Sequence, residues 1–254
     1  MRRKVTLLLA VLFVLATPAA AEIYQDVLDA SERRAQGRIS DADLIRYCTG
    51  VIENDISDAD TKGLAYAVRS KSLLSVGDRA HALADAEASL EIAPEIAGGY
   101  QAMMDYALAN WAFGDAAEWA RQAKERAGTP EGAAYFAKME QYCYTMDTAE
   151  SISALLNAYD ADKRAADRDY GGKEIYLRGP VKSKKRNMLR NSTVVELSVD
   201  ASRVVRCEVI TDTNAEVRDV MELKPGQEAI LRGLPGDYSA KTLQVQESRL
   251  VTAR

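Results

Sequence analysis

The chain of 254 residues holds one histidine, His81, and three cysteines, Cys48, Cys143 and Cys207. That scarcity excludes a zinc site of the usual histidine and cysteine ligands and leaves a histidine-based triad short of parts. His81 stands between Asp78 and Asp85 with no serine or cysteine nucleophile in a recognisable elbow nearby, so it reads as a surface helix histidine. Long apolar runs are also missing. The longest, Val5–Ala16, has 12 residues, against the ~20 that a membrane-spanning helix needs. A net charge of −5 is too mild to name a partner. Two acidic stretches imitate calcium loops and fail. Asp58-Ala-Asp60-Thr-Lys62-Gly63 puts Lys62 and Arg69 where oxygen ligands are required, and Asp167-Arg-Asp169-Tyr-Gly-Gly172 puts Arg178 at its twelfth place. The expectation is therefore a protein without metal or cofactor.

Hydrophobic residues make up 47% of the chain, enough for a packed core. Arg2, Arg3 and Lys4 precede the apolar run, and Thr17-Pro-Ala-Ala-Ala21 supplies small residues before Glu22, the pattern of a cleaved export signal over residues 1–21. An uncleaved anchor is the competing reading. No cysteine sits at the cleavage site itself, where Glu22 stands, which disfavours a lipid anchor. These features predict a soluble periplasmic protein with no transmembrane segment after cleavage. The remainder divides by charge: residues 22–147 carry 12 basic and 22 acidic side chains, and residues 148–254 carry 18 and 16.

Between residues 22 and 147 the text is alanine-rich with helical periodicity and no strand alternation. Ala65-Tyr66, Ser70, Leu73-Leu74, Gly77-Asp78, Ala82, Ala86, Leu90 and Ala93-Pro94 resemble one tetratricopeptide repeat, with the turn glycine and the closing proline 17 positions apart. Small Ser70 and Ala82 permit close helix crossing. Gly114-Asp115 recurs 37 positions later, which predicts a next first helix over residues 100–113 and a second over 116–127. Upstream, Gly37 with Ala42 copies the Gly77/Ala82 offset. A closing helix follows over 131–144. A generic helical bundle is the alternative.

Beyond residue 148 the texture changes. Residues 151–168 read as one helix carrying Leu155, Leu156 and Tyr159 on a common face. Alternating runs over 173–181, 193–199, 203–210, 228–233 and 243–251 predict five strands, with a helix over 215–223 between the third and fourth. Leu234-Pro-Gly-Asp237 reads as a turn. Five strands with a helix after the third is the order of an OB-fold barrel. Asn157, Ala166, Tyr170-Gly-Gly-Lys173, Gly179-Pro-Val181, Val204-Val-Arg-Cys-Glu208, Lys224-Pro-Gly-Gln-Glu228 and Arg232-Gly233 resemble the tRNA_anti-like family of exported bacterial OB-fold proteins over roughly 150–254. The resemblance carries no catalytic residues. The expected fold is thus multidomain α + β: a signal peptide (1–21), a tetratricopeptide-like helical stack (22–147), and a five-stranded OB-fold β-barrel with a leading helix (148–254).

Two surfaces are candidates for binding. In a helical repeat stack the first helices face a concave groove, where the 37-residue register places Lys71, Met104 and Trp111 for a peptide or protein partner. In the barrel, Lys182, Lys184, Lys185, Arg186 and Arg190 crowd the predicted first loop and suit a polyanion such as nucleic acid, anionic lipid or cell-wall polymer. Stacking aromatics are sparse there, Tyr170, Tyr176 and Tyr238 alone. Cys48 and Cys143, both in the helical half, are the pair that a disulfide would join, with all three thiols reduced as the alternative. Cys207 falls on the buried face of a strand. The sequence favours a non-enzymatic periplasmic adaptor, with polyanion binding as the second reading.

Overall fold

The computed structural model describes residues 18–187 and 192–253. They fall in two compact units, divided between Asp147 and Thr148. Residues 1–17 of the expected export signal and Arg190 lie outside the described residues.

The first unit is all helical: α1 (Pro18–Ala35), α2 (Asp41–Glu53), α3 (Ala59–Ser75), α4 (Arg79–Ile92), α5 (Ala97–Ala109), α6 (Phe113–Glu125) and α7 (Pro130–Asp147). The expected cleavage point after Ala21 thus lies within α1. Side-chain oxygens start several of these helices. Ser40, Asp58 and Asp78 each accept a hydrogen bond from a first-turn N–H, which satisfies donors the helix itself cannot. The turns after α1 and α3 pass through Gly37 and Gly77 at φ of 70° and 86°, a left-handed backbone that glycine adopts without a Cβ clash. Each helix packs on the next, and α3 also packs on both α1 and α5, so these three share a layer. Small residues let α3 and α4 approach. The Ser70 hydroxyl donates to the Ala82 carbonyl and the Ser89 hydroxyl to the Gly63 carbonyl, both at 2.7 Å. Arg69 then clamps three helices, bidentate to Asp85 of α4 at 2.7 and 2.8 Å and donating to Thr49 of α2.

The helical register differs from the sequence expectation at one place. Gly114 is inside α6, and the α5–α6 turn is made three residues earlier, by Trp111 at φ of 61°. Trp111 follows Gly77 by 34 positions, so Ala116 and Ala120 match Ala82 and Ala86, and all four are fully buried. The predicted helix over 100–113 therefore ends at Ala109.

The second unit opens with a two-residue strand β1 (Glu150–Ser151), then α8 (Ile152–Ala161) and α9 (Lys163–Tyr170). What reads as one helix is broken at Asp162, whose carboxylate accepts from the N–H groups of Arg164 and Ala165 and caps α9. Strands β2 (Ile175–Asn187), β3 (Ser192–Ser198) and β4 (Val204–Ile210) follow, then α10 (Asn214–Glu222), β5 (Glu228–Ser239) and β6 (Thr242–Ala253). Strands β2 to β6 close in the order β2-β3-β4-β6-β5-β2, with β4 and β6 parallel and the other pairs antiparallel. This closed five-stranded barrel with a helix after its third strand is the OB-fold. Inward residues Leu177, Val195, Leu197, Val205, Cys207, Leu231, Leu243 and Val245 form its core, with Leu155, Leu156 and Tyr159 of α8.

Three strands outrun their predicted ends. β2 continues to Asn187, and β5 carries Pro235 and Gly236 within it rather than in a turn. The β5–β6 ladder shifts register between Pro235 and Tyr238, so the missing proline N–H falls at a bulge. The hairpin itself is Ala240-Lys241, at φ of 47° and 59°.

Candidate functional site

Lys71 of α3 and Asp105 of α5 stand 34 positions apart in sequence and face each other, Lys71 Nζ at 3.8 Å from Asp105 Oδ2. The geometry follows from the layer that α3 and α5 share. At that distance the contact is an ion pair rather than a hydrogen bond. The lysine is half exposed, whereas Asp105 Oδ2 is buried and has no hydrogen-bond partner. Burial pushes the Asp105 carboxyl above the ordinary carboxylate range, and Lys71 pulls in the opposite direction without cancelling it. Tyr135 of α7 lies close enough that Asp105, after burial, raises its hydroxyl as well. A desolvated carboxylate with an open acceptor, flanked by a half-exposed cation and a phenol, suits recognition of a cationic or hydrogen-bond-donating group. Asp105 has no local motif. Its only sequence signal is the 34-residue interval from Lys71.

The other two expected groove residues do not join this pair. Met104 is fully buried in the packing of α5 with α6 and α7, so it lines no groove. Trp111 lies past the end of α5, in the turn, where its ring tilts against Phe113 at 5.7 Å between centroids. Both displacements have one cause: the Gly114-Asp115 dipeptide sits within α6, three residues beyond the turn it imitates.

The cationic cluster of the barrel also disperses. Lys182, Lys184, Lys185 and Arg186 belong to strand β2, not to a loop, so successive side chains point to opposite faces. Lys184 crosses to α10 and donates to the carbonyls of Met221 and Leu223, satisfying acceptors at a helix C-terminus. Arg186 reaches Thr193 of β3 at 3.4 Å. Lys182 and Lys185 remain exposed. On neighbouring strands, Glu196 is held below the usual carboxylate range by Arg206 and Ser183. The result is a face of mixed charge.

Cys48, Cys143 and Cys207 are all free thiols, which corrects the Cys48–Cys143 pairing. Cys48 packs with Val27, Leu44 and Val51, and Cys143 with Phe136 and Ala116, in two separate apolar clusters. Burial pushes the Cys48 and Cys143 thiols up to about 12 and about 11, away from the reactive thiolate. Among the described residues, no group of three or more metal-ligating side chains gathers.

Fold and site together define a helical unit of layered pairs followed by a closed OB-fold barrel. The tRNA_anti-like family model matches residues 104–247, more than half of the chain, and the protein belongs to that family. The match begins at Met104 in α5, well upstream of the barrel. A crystal structure of a Klebsiella pneumoniae lipoprotein, described as a candidate nucleic acid-binding protein, is similar at 17% identity and a TM-score of 0.34, covering 42% of this chain and 94% of that one. A likeness of that size carries no functional argument. No curated protein sequence matches the chain.

Proposed function

We propose that the protein is a non-enzymatic exported adaptor, whose tetratricopeptide-like helical stack takes a protein or peptide partner on the face shared by α3, α5 and α7. The observation that carries this reading is Asp105: buried, set against Lys71, and with one oxygen lacking a hydrogen-bond partner. Leaving such a group unsatisfied costs about 1–3 kcal/mol, which a donor on a partner would recover. Supporting it are the left-handed turns at Gly37, Gly77 and Trp111, and the matched buried alanines of α4 and α6. The leader pattern supports a periplasmic location, and no helix among the described residues is long and apolar enough to cross a membrane. The barrel then offers a second contact surface.

A photo-crosslinking residue at position 71, in cells producing the full chain, tests this directly. A discrete crosslinked species is expected from position 71 and none from position 87, which is exposed on α4. Equal labelling from both positions sinks the reading. Polyanion binding is the second reading, favoured by the exposure of Lys182 and Lys185 on β2. It requires Lys182→Ala with Lys185→Ala to flatten the salt dependence of polyanion affinity.

A further inference from the structure

A cleft of about 980 Å³ opens in the second unit, between α10 and the last turn of the barrel strand β6. The parallel β4–β6 ladder stops at Val209↔Ser248, while β5 continues to pair with β6 as far as Ala229↔Ala253. Among the described residues, positions 249–253 of β6 therefore have a strand neighbour on one side only. Their other edge, which borders the cleft, has no strand paired to it among the described residues over five positions, a span of about 17 Å.

Two further features lie along the same cleft. Thr211, in the connection from β4 to α10, is 4% exposed and its Oγ1 has no hydrogen-bond partner. A buried hydroxyl left in that state is destabilising unless a ligand atom completes it. Across from it, α10 presents Glu216, Asp219 and Glu222 to the cleft. Glu216 is engaged in capping its own helix, but Asp219 and Glu222 are exposed and make no ion pair among the described residues. Of the two cations at the rim, Arg249 is held by Asp212 at 2.8 Å, which leaves Lys224. The balance is negative and repels phosphate.

We propose that this cleft binds an extended basic peptide segment as an added strand on β6, with alternate lysine or arginine side chains meeting Asp219 and Glu222 and a peptide polar atom reaching Thr211. The backbone edge supplies affinity without sequence preference, and the acidic helix supplies the choice of charge. This site is separate from the α3–α5–α7 face, and neither depends on the other.

The test uses the full chain and a fluorescent decapeptide of alternating lysine and valine, followed by anisotropy. Comparison peptides are the alternating glutamate–valine sequence and the lysine–valine sequence with every second amide N-methylated. The lysine–valine peptide is expected to bind, with both comparison peptides at least about tenfold weaker. Asp219→Asn with Glu222→Gln, both on the exposed face of α10, should weaken binding by at least about tenfold. Thr211→Val should weaken it too, and Glu87→Gln, at an exposed position of α4, should leave it unchanged. Equal binding of the N-methylated peptide removes strand addition. Loss on Asp105→Asn but not on Asp219→Asn with Glu222→Gln places the peptide on the helical unit and overturns the proposal, as does absence of binding at ~1 mM peptide. Concentration-dependent self-association abolished by Asp219→Asn with Glu222→Gln would assign the cleft to a second copy of this chain instead.

Discussion

Trp111 occupies in the α5–α6 turn the place that Gly77 occupies in the α3–α4 turn, 34 positions earlier, and both hold a left-handed backbone, at φ of 61° and 86°. A left-handed tryptophan is strained, because its Cβ approaches the following carbonyl, and the cost is about 1–2 kcal/mol. What holds it there is side-chain packing: the indole lies against Phe113, itself 3% exposed at the first position of α6. The ring thus secures a turn that its own backbone disfavours.

This relationship separates two substitutions that both delete the ring. Trp111→Ala loses the contact with Phe113 and keeps the strained backbone, so the helical unit should lose about 1–3 kcal/mol. Trp111→Gly loses the same contact but relieves the strain, and should be the more stable of the two by about 1 kcal/mol. Urea denaturation of the two variants checks the order. Trp111→Gly equal to or below Trp111→Ala would mean that φ at this turn is not the determinant.

Asp105 makes a pH-dependent contribution whose sign is fixed by burial. Because the folded protein holds this carboxyl above its unfolded value, the folded state binds the more protons of the two. Stability from this group is full below the ordinary carboxylate range and is lost as pH rises through the raised folded value. Asp105→Asn removes the ionisable group and keeps most of the shape. It should raise the melting temperature at neutral pH, and the gain should vanish as the buffer is taken to acid pH. A gain that grows on acidification would show that Lys71 outweighs burial.

The barrel order was legible because inward residues such as Leu177, Val195, Cys207 and Val245 alternate along short runs, and closure requires only that alternation. Strand ends were not legible. Pro235-Gly236 has the local chemistry of a turn and is kept in β5 by pairing with β6, while Ala240-Lys241 turns the chain without glycine or asparagine. In the helical unit, Gly77 marked the turn before α4, since a left-handed backbone is a local requirement that glycine meets. The α6 register was hidden by a Gly-Asp dipeptide that falls inside the helix. Lys71 was found by its place on a first helix. Asp105 was missed because burial of a carboxylate is a tertiary property with no local sequence mark.

Lys184 separates the structural cations from the exposed ones. Its ammonium meets carbonyls at the end of α10, where a positive charge is worth up to about 1–2 kcal/mol in a partly buried setting. Lys184→Ala should therefore destabilise the barrel by about 1 kcal/mol. Lys182→Ala and Lys185→Ala, on exposed positions of the same strand, should stay within about 0.5 kcal/mol of the parent. Chemical denaturation of the three single variants checks this, and equal effects from all three would show that the contact with α10 contributes nothing.

Gly179 of β2 sets how closely α8 can lie on the barrel. A Cβ added there would stand 2.5 Å from Ile152 Cδ1 and 2.6 Å from Ile152 Cγ1. Ile152 is 1% exposed at the first position of α8 and has little freedom to move. Glycine is needed at 179 for space, not for backbone conformation, since its φ is not among the left-handed ones. Gly179→Ala should cost about 1–3 kcal/mol by overpacking. Ile152→Ala alone should cost about 2–5 kcal/mol through the cavity it leaves. The two effects should not add, because the new methyl enters space the isoleucine has vacated, and a coupling of about 0.5–3 kcal/mol in favour of the double variant is expected. Thermal denaturation of the four proteins in this cycle measures it. Simple additivity would show that the strand and helix adjust independently, and that the small residue at 179 does not hold α8 in place.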